Sequence, residues 1–428
     1  MNYRYLHPRN ELVLTMERIY RYKMTTTSGG NLSIRDEGGN IWITPARVDK
    51  GSLTPADIIC VQADGTVIGR HPPSSEFPFH KAIYSVRPDL RAVVHAHPMA
   101  LVAFSIAHKT PETRVFPQAW RIEGKVGFAP YGVPGSADLG AKIAREYQRG
   151  FDSVILENHG VCCAGEDLQD AFQKFETLEF TAKSIIKARQ IGEVRLLTDE
   201  QLQLQSKAWT DLQTFERETI PTVEKELRAE LCEFIHRGYR QRLLTSTAGT
   251  FSARVGPDAF LITPYPFDRY TIEPQDLVLI RGDRREQGPT PSRGVLTHRA
   301  LYQAHPSINT GINASPINAT AFSICGKTVN THTIPESYVF IRDVALLPFE
   351  TTFNDFPRMA KTITPKSPAA ILTNNGVMLG GKSILAAFDQ LEVLEYTAEA
   401  LIDSQPIGGT QPMSMEVIME LRQAFKLD

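Results

Sequence analysis

The feature that most constrains this chain is that it contains the same pattern twice. The first half reads SGGNLSIR and then IWITPARVDKGSLTPADIICV, while the second reads TAGTFSAR and then FLITPYPFDRYTIEPQDLVLI. Gly30 pairs with Gly249, Ser33 with Ser252, Thr44-Pro45 with Thr263-Pro264 and Asp57 with Asp276. Further along, His80 pairs with His298, Tyr84 with Tyr302, Pro88 with Pro306, and Asn158-His159-Gly160 with Asn374-Asn375-Gly376. The offset between partners drifts by only three residues over this whole span. Two copies at so long a period describe a tandem duplication rather than a solenoid or propeller, which need several short units. The expected domains are residues 1–205 and 206–428, joined by a seam near 205–228 that looks helical and polar and so holds the copies rigidly.

Each copy alternates two periodicities. Apolar residues recur three and four apart in Glu11–Tyr22, Phe79–Val86, Ala137–Gln148 and Asp167–Ile191, which predicts helices. Short Ile/Val/Leu-rich runs at Ile41–Thr44, Ile58–Gln62, Ala92–Ala96 and Ser153–Glu157 predict strands. The mixture predicts an α/β layered domain, a sheet covered by helices. The 46 Lys and Arg residues against 48 Asp and Glu leave no positive excess to hold a nucleic-acid backbone. No run approaches the roughly 18 consecutive apolar residues of a membrane span. Charges interrupt the N-terminal segment MNYRYLHPRNELVLTMERIYRY, which lacks a signal-peptide apolar run. Five cysteines, two of them adjacent, make a poor disulfide framework and suit a reducing cytosol. The expectation is a cytoplasmic protein with no nucleic-acid or membrane partner.

Four short motifs carry chemistry. In Val93-Val94-His95-Ala96-His97-Pro98, strand alternation puts His95 and His97 on one face, where two imidazoles can converge on one ion. His159 follows the apolar run Val154-Ile155-Leu156 and precedes a glycine suited to a tight turn. A third imidazole there completes a neutral ligand set with open positions, the pattern of catalytic zinc. Pro73-Ser74-Ser75-Glu76, ahead of a helix, reads either as a helix cap or as an anion site with a carboxylate for proton transfer. Ser28-Gly29-Gly30-Asn31-Leu32-Ser33, with Thr44, offers backbone and side-chain donors to a phosphate or carboxylate. Singly, each has an ordinary structural explanation.

Comparison of the copies separates the two readings. Gly294 stands where the first copy has Glu76, Asn313 and Ser315 replace His95 and His97, and Asn375 replaces His159. Both copies must fold, so residues lost together in one copy are a functional unit, whereas those retained, such as Gly30, Pro88 and His80, serve the fold.

With these residues assembled, the first half resembles the class II aldolase/adducin family over about residues 10–195. The resemblance rests on Ser28–Ser33, Thr44-Pro45, Lys50 through Asp57, Pro73–Glu76, His95-Ala96-His97-Pro98 and Glu157–Gly160. The second half, about 225–405, resembles the same family without its metal ligands, as the adducin head does. The resemblance implies two α/β/α sandwiches with mainly antiparallel sheets. It implies a divalent metal, usually Zn2+, on His95, His97 and His159, with Glu76 as the acid/base carboxylate. Gly30, Asn31, Thr44, Ser74 and Ser75 would cradle a substrate phosphate. The implied activity is a lyase acting on a small (phospho)sugar or sugar acid through a metal-stabilised enediolate. An epimerase, a decarboxylase and a non-catalytic adducin-like scaffold are the alternatives.

One departure bears on mechanism. Where sugar-phosphate aldolases carry a Tyr proton donor, the first copy reads Phe116-Pro117-Gln118-Ala119-Trp120, and indole is not an acid. The second copy reads Ile334-Pro335-Glu336-Ser337-Tyr338. In the family this Tyr reaches a neighbouring subunit's site. The expectation is a homodimer forming a pseudo-fourfold ring of domains, with Tyr338 completing the site of the first copy. Pro45-Ala46, where many relatives have a Gly, leaves phosphate recognition open.

Overall fold

Two sheets of matching strand order account for the repeated sequence. The computed structural model describes residues 6–207, 211–217 and 219–427. These divide into a unit of residues 1–113 and 118–183 and a unit of residues 114–117 and 184–428. The division falls inside a long helix, earlier than the expected 205/206 boundary. The cause lies in what the following segment bonds to within the second unit: Lys187 pairs with Asp403 at 2.8 Å, and Arg195 N–H donates to Ile324 O at 2.8 Å.

The first unit runs α1 (Pro8–Arg21), β1 (Asn31–Arg35), β2 (Ile41–Ile43), β3 (Ile59–Val61), β4 (Val67–Ile68), α2 (Phe77–Val86), β5 (Ala92–Ala96) and α3 (Met99–Ile106). It continues with α4 (Pro117–Glu123), β6 (Gly127–Ala129), α5 (Ala137–Gln148), β7 (Ser153–Leu156), β8 (Gly160–Gly165) and α6 (Leu168–Ile191). Its strands lie in the order β4-β3-β2-β1-β5-β8-β7-β6, antiparallel except for the β6–β7 pair. Every residue of β5, β7 and β8 is buried, so helices cover both faces. On one face Val93, Val154, Leu156, Cys162 and Ala164 pack against Phe79 and Ile83 of α2 and Leu139, Ile143 and Tyr147 of α5. Alternation sends Val94, Val161 and Cys163 to the other face. In α5 the buried residues recur at helical spacing, and Ser136 caps the helix by accepting from Leu139 N–H.

The second unit repeats this sheet. It contains α7 (Asp199–Lys207), β9 (Gln213–Phe215), α8 (Thr222–Arg240), β10 (Thr250–Gly256), β11 (Ala259–Ile262), β12 (Val278–Arg281), β13 (Arg284–Glu286), α9 (Val295–Ala304), β14 (Thr310–Ala314) and α10 (Ile317–Cys325). Then follow α11 (Pro335–Ile341), β15 (Ala345–Leu347), α12 (Thr351–Asn354), α13 (Phe356–Thr362), β16 (Ala369–Leu372), β17 (Val377–Gly381), α14 (Ile384–Asp403) and α15 (Met415–Ala424). The order β15-β16-β17-β14-β10-β11-β12-β13 reproduces the first sheet strand for strand, with β9 added beside β13. That extra strand corrects the expectation of a helical seam. Gln213–Phe215 pairs in parallel with Arg284–Glu286, and Phe215 lies beneath the Arg281 and Arg284 guanidinium groups. Pairing satisfies backbone groups that a polar linker would leave to water. Residues 208–210 and 218 of the seam lie outside the described residues.

All five cysteines are free and buried. No helix among the described residues is long and apolar enough to cross a membrane.

The duplicated His80 and His298 are fully buried, and burial pushes each imidazole down to about 3. Each is therefore neutral in the fold, while the unfolded chain protonates near its ordinary value of about 6.5. The stability such a residue supports is complete at neutral pH and is lost as pH falls from about 6.5 towards 3. Replacing His298 with Gln should flatten the decline in unfolding free energy between about pH 6 and 4 by about 1.4 kcal/mol per pH unit. Denaturant titrations at stepped pH measure this, and an unchanged slope would refute a neutral buried His298.

Candidate metal centre

The site is assembled on the central strand β5, with one neighbour on each side. β1 pairs with β5 so that Asn31 lies opposite His95, and β8 pairs with β5 so that His95 lies opposite Cys162. β8 is the second arm of the β7–β8 hairpin, whose turn carries His159. Asn158 adopts a left-handed φ of 53°, a conformation Asn tolerates better than most residues, and Leu156 pairs with Gly160 across the turn. Ser105 of α3 fixes this turn from behind: its hydroxyl donates to Leu156 O at 2.6 Å and accepts from His159 N–H at 2.9 Å.

His95, His97 and His159 meet as the sequence predicted. Their ring centroids are 4.9 Å apart in every pairing, and one nitrogen from each ring lies within 4.8 Å of the others. His95 Nδ1 lies 2.9 Å from Val161 O, and a carbonyl can only accept, so Nδ1 carries the proton. The Nε2 lone pair of His95 is thereby aimed at His97 Nε2, 3.1 Å away, and at Glu76 Oε2, 3.2 Å away. Glu76 Oε1 lies 3.4 Å from His159 Nε2 and has no hydrogen-bond donor among the described residues. The His95 lone pair and the Glu76 carboxylate repel at this distance unless a proton or a cation lies between them. One divalent cation bound by the three imidazoles resolves the conflict, so this donor set fits a metal.

Electrostatics agree with the geometry. Burial, then the neighbouring imidazoles, pushes His97 down to about 3, and burial and His95 push His159 down to about 4. Both rings are therefore neutral at physiological pH, the form in which an imidazole can bind a metal. Burial alone would raise the Glu76 carboxyl. Positive charge and a donor at the His95 position, followed by His159 and Asn31, hold it well below the usual carboxylate range, and a cation bound there would take the place of that charge.

Glu76 itself sits immediately before α2. Ser74 is buried, and its hydroxyl accepts from Glu76 N–H at 3.3 Å within the turn before α2, so neither serine caps the helix and the helix-cap reading of this motif is not realised. Ser75 is exposed beside it. Asn31 is buried and donates one amide N–H to Glu76 Oε2 at 2.7 Å. Gly30 has a φ of 74°, and a Cβ there would come within 2.7 Å of His95 O, so only glycine fits between β1 and β5 at this point. Thr44 is fully buried, with its hydroxyl accepting from Leu32 N–H at 3.1 Å. Thr263 repeats that bond with Phe251, which gives Thr44 a role in strand pairing. Tyr338 lies in the second unit on α11, buried, with the His332 ring edge-on at 5.0 Å.

Two supports escaped the sequence reading. Glu179 of α6 is buried and accepts from Ala100 and Leu101 N–H, capping α3 directly after His97-Pro98. Glu395 of α14 does the same for Asn318 and Ala319 at the start of α10. Ser105 has its counterpart in Ser323, which holds the turn containing Asn375. Both pairs keep the register of the duplication, and that register was the available signal. His80, read as a fold residue because it is retained, also contacts Asn31.

Comparison with known proteins identifies the family. The family model for the class II aldolase and adducin N-terminal domain matches residues 10–186 and again residues 229–402. The chain belongs to this family, with two segments that each match its domain. L-fuculose phosphate aldolase of Methanococcus maripaludis is 36% identical over 173 residues, 40% of this chain and 93% of that protein. A 3-oxo-tetronate 4-phosphate decarboxylase of Haemophilus influenzae is 32% identical over 198 residues, 45% of this chain and 93% of that one. Among solved structures, YgbL of Escherichia coli, a putative aldolase/epimerase/decarboxylase, is 30% identical and covers 46% of this chain and 95% of its own, with a TM-score of 0.43.

The second unit shows that the β-turn at His159 tolerates Asn, since Asn374 keeps the same left-handed φ, 54°, before Asn375. His159→Asn should therefore fold normally, with a melting temperature close to that of the parent. Its bound metal, counted by plasma emission spectroscopy after dialysis, should fall from about one ion per chain to a small fraction, because three-imidazole sites weaken steeply on ligand loss. Full retention of the ion would show that His159 is not a ligand.

Proposed function

We propose that the first unit is a divalent-metal-dependent carbon–carbon lyase acting on a small phosphorylated sugar or sugar acid. The observation that carries this is the convergence of His95, His97 and His159 beside Glu76, set against Asn313, Ser315, Asn375 and Gly294 at the corresponding positions of the second unit. Zn2+ suits three neutral imidazoles, and other first-row divalent ions share that preference. When bound, such an ion supplies a Lewis acid that stabilises negative charge developing on a substrate carbonyl oxygen.

The chain's own residues do the rest. Glu76 is ionised and lies at the cluster, placed to take a proton from the substrate and return it. The Gly30 backbone, Asn31, Ser74 and Ser75 form the surrounding loop and helix start, where backbone N–H groups and hydroxyls suit a phosphate. Exposed Ser75 is the hydroxyl of this group most open to a ligand, while the Thr44 hydroxyl already accepts a backbone hydrogen bond. Tyr338 is the candidate acid for the leaving group, delivered by a partner chain in a homodimer with a pseudo-fourfold ring of domains. The names of the relatives support phosphorylated substrates and keep decarboxylation as a second reading, since cleavage of either bond leaves the same kind of charge to be stabilised. Epimerisation belongs to the same chemistry. An adducin-like scaffold accounts for the second unit and leaves the imidazole cluster of the first without a purpose.

Phosphorylated ketoses, beginning with L-fuculose 1-phosphate, should be cleaved by the metal-loaded protein and not after chelation. Glu76→Gln should retain the metal and lose about a hundredfold or more in kcat. Tyr338→Phe should lower kcat by about tenfold or more without changing the mass measured by light scattering. Undiminished turnover in fully metal-free protein would remove the lyase reading, and a preparation that binds no metal and turns over nothing would favour the scaffold.

A further inference from the structure

Behind Glu76 lies a row of buried polar side chains whose donors all point one way. Asn31 donates its amide N–H to the ionised carboxylate of Glu76, which leaves Asn31 Oδ1 as an acceptor. His80 Nε2 lies 2.5 Å from that oxygen and must therefore carry the proton. A neutral imidazole then has only a lone pair on Nδ1, so Ser33 donates its hydroxyl proton to Nδ1 at 2.7 Å. The Ser33 hydroxyl oxygen is left to accept from Tyr84 OH at 2.7 Å, nearer than the Ser33 carbonyl oxygen that the same hydroxyl faces at 3.2 Å. Tyr84 thus begins, and Glu76 ends, a relay in which each hydrogen bond polarises the next. Ser33 and His80 are completely buried, so water does not compete for these bonds.

The second unit contains the same relay cut short. Ser252 lies 2.6 Å from both His298 Nδ1 and Tyr302 OH. Thr250 replaces Asn31 and turns its hydroxyl to Ser292 at 2.5 Å, and His298 Nε2 has no hydrogen-bond partner among the described residues. A Cβ on Gly294, where the carboxylate would begin, would lie 3.6 Å from that nitrogen. The Tyr-Ser-His part therefore belongs to the fold, and the Asn and Glu that extend it were lost together with the imidazole cluster.

We infer that His80 is a positioning residue of the active site, holding Asn31 and through it the carboxylate of Glu76 against the three imidazoles. This rests on the reading of Glu76 as the acid/base group. Free rotation of a Glu side chain would spread the carboxylate over several rotamers, and a donor held by a buried relay selects one of them.

The test compares full-length, zinc-loaded His80→Leu and His80→Gln with the parent. Leu removes the donor to Asn31, whereas a Gln amide can replace it. Crystal structures should show the Glu76 carboxylate displaced from Asn31 or divided between rotamers in His80→Leu, and in its parental position in His80→Gln. With L-fuculose 1-phosphate, His80→Leu should lose about tenfold in kcat while KM and zinc content stay within about threefold, and His80→Gln should recover most of the loss. His298→Leu, the matching change in the second unit, should leave kcat unchanged. If His80→Leu does not fold, Ser33→Ala breaks the relay one bond further back and should cost about threefold in kcat. An unmoved Glu76, an unchanged kcat, or a Gln variant as impaired as the Leu variant overturns the inference. If the parent turns over no phosphorylated ketose, the lyase reading fails, and the position of Glu76 alone decides this one.

Discussion

The antiparallel pairing of β5 with β1 on one side and β8 on the other is the constraint on which this protein's chemistry depends. That ladder puts Asn31 opposite His95 and draws the β7–β8 turn, with His159, to the same end of the strand. Gly30 marks how tight the arrangement is, because a single methyl group there would collide with the His95 carbonyl. Three imidazoles thus converge from two segments of chain more than sixty residues apart. Backbone hydrogen bonds and the apolar packing of both sheet faces fix the geometry.

Around the cluster, buried side chains take up backbone groups that the site leaves free. Glu179 takes the first free N–H groups of α3, so the chain can leave His97 and enter a helix at once. Ser105 occupies both polar ends of the hairpin turn that presents His159. Glu395 and Ser323 do the same in the second unit, where the turn presents Asn375 and no ligand set remains. The supports outlived the site they support, since they stabilise a turn and a helix start whatever side chain stands between them. The second unit therefore serves as an internal control for distinguishing scaffold from chemistry.

Much of this was legible in the residues. The helix over Ala137–Gln148 and the strand over Ala92–Ala96 appear in the structure with the boundaries their periodicity predicts, and α6 begins one residue after its expected start. The four residues lost together from the second copy proved to be the four that converge in the first. The sequence of the seam carries no sign of the strand between its two helices, because that strand is defined by an edge partner, β13, some seventy residues away, and a polar local pattern holds no trace of such a partner. His80 was assigned to the fold because it is retained, and retention is blind to what a residue's second nitrogen contacts.

Sequence by itself determined the duplication, the layered α/β class and the identity of the side chains that depart as a group, because these are properties of residue type, period and register. The tertiary structure decided which nitrogen of each histidine faces the others, that Asn31 serves Glu76, and that Thr44 is held by the Leu32 amide. Those outcomes depend on distances of about 3 Å between residues far apart in the chain, and hydrogen bonding is settled at that scale.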